Sequence, residues 1–375
     1  MAADLASQPR CGLTVQICGD AHVRNLGSFA APDGRLIFDI NDFDETVRGP
    51  FEWDVKRLAT SLVLAGREAG DSDKHCKQAV RLFVRAYREA MFGFSRMTVL
   101  DLARYRVHRH PHFAPLQSVL RKAARATPLH NLERLTVATG GARRFKQQPP
   151  LLTRVDKRIA ARVLAALKSY RQTLAPERQH FFDQYHPVDV AFKVVGTGSV
   201  GTRDYVVLLL GNGGRDALFL QVKEEPPSCY ARYLPDLRRA EHEGRRVVEG
   251  QRALQAQSDI FLGWTTIEGR DYLVRQLADH KASIEIADLA GDGLLQYALV
   301  CGEVLAKGHA RSGDPCALAG YLGSSTKFDT AITAFALAYA DRTASDHEEF
   351  LAAVDPGRIR TAGRPQPGSG RVPPR

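Results

Sequence analysis

Apolar residues recur along this chain with two different periods, and the switch between them marks its organisation. Near the start, "LTVQIC" and "RLIFDI" are short apolar runs that predict two strands. Pro32, Asp33 and Gly34 between them signal a turn. "EWDVKRLATSLVLAGREAG" then places apolar residues at helical spacing and stops at Gly70, and "SDKHCKQAVRLFVRAYREAMFGF" repeats that period. Residues 101–175 are rich in Arg, Lys and His and read as helices with polar connections. From residue 188 the texture changes. "VDVAFKVVGTGSVGTRDYVVLLLGNGGRDALFLQVKEE" alternates β-rich runs with glycine turns and predicts a small antiparallel sheet. A helix is expected around "HEGRRVVEGQRALQAQS", a hairpin at "FLGWTTIEGRDYLVRQL" and a further helix over "GLLQYALVCGEVLAKGHARSG". The end, residues 355–375, is rich in Pro, Gly and Arg and reads as a disordered basic tail.

Composition changes this picture in three ways. With 44% hydrophobic and 25% charged residues over 375 positions, the chain is long enough for two lobes with buried cores. Its net charge of +10 suits an anionic ligand, although solubility plus a basic tail accounts for it as well. A nucleic-acid partner is not expected, because the basic region lacks interleaved aromatics and any known recognition signature. The six cysteines are scattered without a C-x-x-C pair, which points to free thiols in a reducing compartment. "MAADLASQPRCG" has no signal-peptide pattern, and no uncharged apolar run is long enough to span a membrane. A cytoplasmic location with no membrane partner is the expectation.

The candidate chemistry is concentrated in "CGDAHVRNLGSFAAPDGRLIFDINDFDET", Cys18 to Thr46, which holds six carboxylates in a basic chain. Asp20-x-His22-x-x-Asn25 follows the first predicted strand and Asp42-Phe43-Asp44 follows the next. Phosphoryl transfer needs a carboxylate to accept the proton of the attacking hydroxyl, and a carboxylate with an amide to hold Mg²⁺ on the phosphates. Asp20, Asp42 and Asn25 have that chemistry. Asp54 opens the following helix, where an acid interacting with the helix dipole is the simplest account.

Later, "GTGSVG" (Gly196 to Gly201) lies between two strands rather than between a strand and a helix. It therefore fits a phosphate-covering hairpin better than a dinucleotide fold, with a plain glycine hairpin equally open. Lys223 in "LFLQVKEE" can reach nucleotide phosphates, and Glu249 on the following helix can orient it, with Glu243 as rival. The other accounts are an edge-strand lysine and surface glutamates. Two phosphatase readings compete. "DFDET" fits an aspartyl-phosphate nucleophile loop with Asp42 as nucleophile, but without the expected α/β alternation. "GDAH" resembles metallophosphatase motifs but lacks their histidine-rich partners.

These residues carry two resemblances. "GD-x-H-x-x-N", "DFD" and "WD" at a helix start resemble the C-lobe of aminoglycoside and choline kinases, except that Cys18 stands where that pattern has histidine. More closely, "CGDAHVRNLG", "FDINDFDET", "GPFEWDVKRLATSLVLAGR", "VVGTGSVGTR", "VVEGQRALQAQSDIFLGW", "YLVRQL" and "HARSGD", running in order through nearly the whole chain, resemble the bacterial family DUF2252. The kinase resemblance implies an α+β, two-lobed, protein kinase-like fold in circularly permuted order, because the catalytic-loop motif precedes the glycine hairpin and lysine. Residues 1–187 and 286–350 would form the helical catalytic lobe and 188–285 the β-rich nucleotide lobe. It implies ATP and Mg²⁺ as cofactors and an unidentified hydroxyl-bearing substrate. Asp20 would be the base, and Asn25, Asp42 and Asp44 the metal ligands. Gly196, Gly198, Gly201 and Lys223 would hold the nucleotide, with Glu249 orienting Lys223. A non-catalytic nucleotide-binding protein and the aspartyl-phosphate phosphatase are the alternatives.

Overall fold

The structure is a computed structural model. It describes residues 1–354 other than 32, 108–116, 118, 122, 124–127, 140–141, 195–200, 214, 236–238 and 278–281. The predicted tail over 355–375, together with Gly196 and Gly198, lies outside the described residues.

A short helix α1 (Ala2–Ala6) leads to β1 (Thr14–Ile17), β2 (Leu26–Ala30), β3 (Leu36–Ile40) and β4 (Val47–Pro50). β1 pairs with β4, and β2 with β3, both antiparallel. Helix α2 (Phe51–Glu68) starts directly after Pro50, with Glu52 and Asp54 in its first turn. Acids there complement the exposed N–H groups of a helix start. Ser72 caps α3 (Asp73–Phe94) by accepting the His75 N–H at 3.3 Å. After α4 (Val99–Arg104) and α5 (Pro128–Leu135), the strands β5 (Thr136–Thr139) and β6 (Ala142–Phe145) form an antiparallel pair. β7 (Leu152–Arg154) and helices α6 (Lys157–Gln172) and α7 (Pro176–Phe182) follow.

A meander of β8 (His186–Lys193), β9 (Asp204–Leu210) and β10 (Ala217–Glu224) comes next, then helix α8 (Glu243–Leu254) and the hairpin β11 (Gly263–Ile267) and β12 (Arg270–Gln276). These strands and β7 make one six-stranded sheet in the order β11-β12-β10-β9-β8-β7. The short β13 (Ala282–Ser283) returns to pair with β2. Helices α9 (Asp292–Ser312), α10 (Pro315–Leu322) and α11 (Lys327–Val354) complete the described chain. The fold is mixed α+β, and every strand pairing among the described residues is antiparallel.

Two regions of core follow from these patterns. β10 is buried on both faces. Leu218, Leu220 and Val222 point into a cluster with α6 and α7, while Ala217 and Phe219 point into another with α5 and β6. The same face that carries Phe219 continues through Gln221 to Lys223, so the sheet turns polar toward one end. The larger core gathers β1–β4, α2, α3, α8 and α9. α9 has buried residues all round from Tyr297 to Ala310, which makes it the central helix of that region.

Two expectations need correcting. Residues 101–175 are not simply helices, because β5, β6 and β7 lie within them. The arginines of "ARRF" mask the strand alternation there. The segment 128–182 also packs with the six-stranded sheet, through Leu132, Phe145, Val163 and Tyr170, so the β-rich region begins well before residue 188.

Candidate functional site

The two acidic motifs are brought together by the β2–β3 hairpin. Asn25 stands just before β2 and Asn41 just after β3. The Asn41 N–H donates to the Asn25 carbonyl at 3.0 Å, continuing the ladder past the strand ends. The Asp20 loop and the Asp42–Thr46 loop therefore leave the hairpin side by side. Gly19 shows how closely they pack. Its φ is +80°, and a Cβ there would overlap the Glu45 carbonyl oxygen. This gives the Gly-Asp pair its reason, since no other residue permits both that backbone and that contact.

Asp54 fixes the same loop from beneath. It is 1% exposed and accepts the backbone N–H groups of Cys18 at 2.8 Å and Gly19 at 3.0 Å. The fully buried His309 of α9 contacts Asp54 through Nε2 at 3.3 Å, while its Nδ1 meets the Tyr87 hydroxyl at 2.8 Å. Asp54 is thus more than a helix N-terminal acid: it ties the Asp20 loop to α2 and α9. His309 and Tyr87 were invisible to sequence reasoning, because their partners lie more than two hundred positions away.

Asp20 is held on three sides. Arg57 on α2 donates to Oδ1 from both Nε (2.7 Å) and a terminal nitrogen. His22 Nε2 lies 3.6 Å from Oδ2. The Asn25 amide nitrogen donates to the Asp20 carbonyl at 3.0 Å and to Oδ2 at 3.3 Å. Its amide oxygen receives no hydrogen bond from any described residue. Burial raises the Asp20 pKa, but His22 and Arg57 outweigh it and hold the carboxyl well below the usual carboxylate range. Asp20 is ionised at neutral pH.

On the other side of the Asp42–Thr46 loop stands the end of β10. Lys223, 6% exposed, forms an ion pair with Asp44 across 179 positions of sequence. Burial lowers the Lys223 pKa, while the carboxylates of Asp44, Glu225 and Asp42 raise it by more. Asp44 is lowered: burial raises it, and Lys223 and Arg275 overcome that. One Asp44 oxygen, Oδ1, is buried without a hydrogen-bond partner. Glu225, 3% exposed, receives no hydrogen bond on either oxygen, and burial with Asp44 alongside pushes its carboxyl well above the usual range. Directly across the sheet from Lys223 is Asp204, raised by burial to about 6 and accepting the Gln221 side-chain N–H at 2.6 Å. Glu225, Asp204 and Arg275 were also missed, although an ionisable residue inside a predicted strand was the available signal.

Glu249 does not meet Lys223. It is exposed and accepts from Arg245 Nε at 2.7 Å, one helical turn back. The buried stripe of α8 is Gly244, Val247, Val248, Gly250, Gln251 and Leu254, which leaves Glu249 on the solvent side. The rival Glu243 is likewise occupied, by Arg246 at 2.5 Å. That arginine reaches the carbonyls of Asp44 (2.9 Å) and Thr46 (2.7 Å) and clamps the acidic loop against α8. Gly250 allows the approach, since a Cβ there would overlap Thr46. Of the glycine motif, Gly201 is described, with a φ of +94°, in the connection between the neighbouring antiparallel strands β8 and β9.

Among the described residues no three His, Cys, Asp or Glu side chains form a group able to hold a metal ion by themselves. No described helix is long and apolar enough to cross a membrane, and all six cysteines are free. No curated protein and no solved structure matches the chain. Residues 1–353 match the profile of a family described as an uncharacterized protein conserved in bacteria (DUF2252), and the chain belongs to that family.

Proposed function

We propose that the protein is a cytoplasmic phosphotransferase with a two-lobed, kinase-like and circularly permuted fold, which moves the γ-phosphate of ATP to a hydroxyl acceptor. One observation carries the reading: Lys223, from the strand after the glycine hairpin, is paired with the loop that holds Asp42 and Asp44. The order within each half supports it too. Asp20, Asn25, two strands and Asp42 follow one another as catalytic loop and metal loop do in kinases. The glycine hairpin, lysine strand and helix follow as in the nucleotide lobe.

In this reading the acceptor hydroxyl hydrogen-bonds to Asp20 and attacks the γ-phosphorus. The new O–P bond forms as the bond to the β-phosphate oxygen breaks, the proton passes to Asp20, and ADP leaves. Because Arg57 and His22 depress its pKa, Asp20 takes the proton late, once the hydroxyl has become acidic in the transition state. Lys223 and the backbone around Gly196, Gly198 and Gly201 would bind the phosphates. Asn25, through its amide oxygen, would hold Mg²⁺ with Asp42 and Asp44, and the Oδ1 of Asp44 receives no hydrogen bond. The ion's chemistry there is neutralisation of phosphate charge. Mg²⁺ is commonly held by one or two carboxylates with substrate phosphates and water, so the donor set fits without a dedicated cage.

The aspartyl-phosphate phosphatase reading needs Asp42 at the end of a parallel strand, and the β3 that precedes it pairs antiparallel with β2. The non-catalytic nucleotide-binding reading has one observation in its favour, the occupation of Asp20 by Arg57. Asp20→Asn separates it from the enzyme. The variant keeps the shape and the Mg·ATP-induced rise in melting temperature, and loses about 10²–10⁴-fold in ADP release. Equal turnover in variant and parent would remove Asp20 from the chemistry. A melting temperature unmoved by Mg·ATP would remove the nucleotide site.

A further inference from the structure

Lys193 is the last residue of β8, and strand register places it on the face of the six-stranded sheet that carries Lys223. Phe192 pairs with Tyr205, so Lys193 comes opposite Asp204, and Asp204 pairs with Lys223. Ala191, two positions before Lys193, lies in one cluster with Val206 and Phe219, which fixes the face. The three residues therefore stand side by side on three neighbouring strands, with about 10 Å of backbone spacing between the outer two. Lys193 is half-buried, and its ammonium makes no hydrogen bond or ion pair with a described residue. Burial lowers its pKa, Asp204 is the one acid that acts on it, and Arg134 acts as a second cation. Lys223, by contrast, is already paired with Asp44. Asp204 does not hold Lys193 in that way, since its Oδ2 accepts from Gln221 and its Oδ1 receives no hydrogen bond. Beside this row the apolar part of the face is covered. Ala191, Val206, Phe219 and Leu277 are 8% exposed or less and pack with Leu132, Leu135 and Phe145 of α5 and β6. A nucleobase binds on an apolar or aromatic plate, and these side chains are not free to provide one.

We propose that the site grips its ligand by a chain of linked phosphates laid from Lys223 toward Lys193, and that the base contributes little. The ligand class is a compound with two or more linked phosphates, whether a nucleotide or an inorganic polyphosphate. That phosphates lie at Lys223 rests on the phosphotransfer reading above, whereas the extension to Lys193 rests on the strand register. The phosphate chain gives Lys193 the bonded partner of opposite charge that the described residues do not supply. Asp204, between the two lysines, opposes such a ligand as a like charge. Its neutralisation should therefore tighten binding, which loss of a merely structural acid would not do.

The test titrates tripolyphosphate, pyrophosphate, orthophosphate, ATP and GTP against the full chain by thermal shift at fixed Mg²⁺, each variant being compared with its own unliganded melting temperature. Half-saturation by tripolyphosphate, ATP and GTP should agree within about threefold, with pyrophosphate and then orthophosphate weaker. Lys193→Met should weaken tripolyphosphate about tenfold, the loss expected for one charged hydrogen bond. Lys168→Met, which removes an exposed charge from α6 on the opposite face of the sheet, should not. Asp204→Asn should tighten tripolyphosphate by about threefold, and it decides the matter if Lys193→Met does not fold. Full tripolyphosphate affinity in Lys193→Met, an equal loss in Lys168→Met, or unchanged or weaker binding in Asp204→Asn would overturn the proposal. ATP binding about tenfold or more tighter than both GTP and tripolyphosphate would mean that the base is read, which overturns the proposal and leaves the phosphotransfer reading intact. A shift from tripolyphosphate without one from ATP supports the phosphate grip and removes ATP from that reading. No shift from any of these compounds ends the phosphotransfer reading, and the proposal with it.

Discussion

Two buried lysines reach back from late in the chain to the same early acidic stretch, and their surroundings differ. Lys307, on α9, is paired with Asp39 at the end of β3, where the two are 1% and 3% exposed. Around them is the larger apolar core. Burial lowers the Lys307 pKa more than Asp39 raises it. Lys223 is paired with Asp44, but Glu225 and Asp42 stand close by, and its pKa is raised. The first pair is closed off from water, with Arg311 as a further cation acting on both members. The second is a lysine among three acids, with Arg275 also acting on it, and oxygens of Asp44 and Glu225 there receive no hydrogen bond. A closed pair holds elements together. A set with such oxygens marks a place where a further charged group can be accommodated, and perturbed pKa values concentrate at such places.

The largest effect that separates the two regions is on stability. Lys307→Ala leaves Asp39 buried without its cation and should cost about 3–5 kcal/mol in urea unfolding, while Lys307→Met with Asp39→Leu should recover most of that. A loss below about 1 kcal/mol for the single variant would erase the contrast.

Asp204, opposite Lys223, gives a pH-dependent test. Its pKa is about 6 when folded and 3.8 as the ordinary value, so the folded state binds the extra proton between those limits. The parent therefore loses stability as pH rises from about 4 to about 6, and the penalty persists above that. Asp204→Asn should be more stable than the parent at pH 7.5 by roughly 3 kcal/mol at most, with the gain fading below pH 4. A gain independent of pH would show that desolvation of this carboxylate is not its source.

Lys223→Met should retain its fold and lose most of the stabilisation by Mg·ATP, which for a native-state ligand at a hundredfold excess over its dissociation constant is about 2.7 kcal/mol. Retention of the full shift would place the phosphates elsewhere. Glu249→Ala closes the series. It removes one exposed i,i+4 pair, worth about 0.3–0.5 kcal/mol, and should leave the nucleotide shift unchanged. A large nucleotide effect at Glu249 would mean that α8 rotates on binding.

The helical period over 51–94 and 292–312 and the strand runs at 14–17, 36–40, 204–210 and 217–224 were readable because each element repeats one simple pattern. The β5–β6 pair was not, since its exposed face is arginine and its period is only a few residues long. Asp20, Asn25, Asp42, Asp44 and Lys223 could be named from local chemistry at strand ends. Their partners could not. Whether Lys223 meets Asp44 or Glu249 depends on which stripe of α8 is buried, and that is set by Thr46 packing against Gly250. Arg57 reads locally as one of several helix-surface cations. Only the folding of the Gly19 turn onto α2 gives it Asp20.

The central position of α9 also has a consequence for the order of events during synthesis. α3 and β1 find much of their covering on α9, and further contacts reach it from the early chain, such as Tyr297 to Val23, Lys307 to Asp39 and His309 to Asp54. At about 5–20 residues per second, the ribosome delivers α9 roughly 15–50 s after the Asp20 loop has emerged. Through that interval the acidic loop and the apolar faces of the first two long helices wait without their partner, whereas the last strand of the six-stranded sheet ends at Gln276, before α9 begins at Asp292. Nascent chains arrested before residue 292 should therefore be the ones that recruit chaperones, and release of the last helices should be the step that withdraws this surface from them.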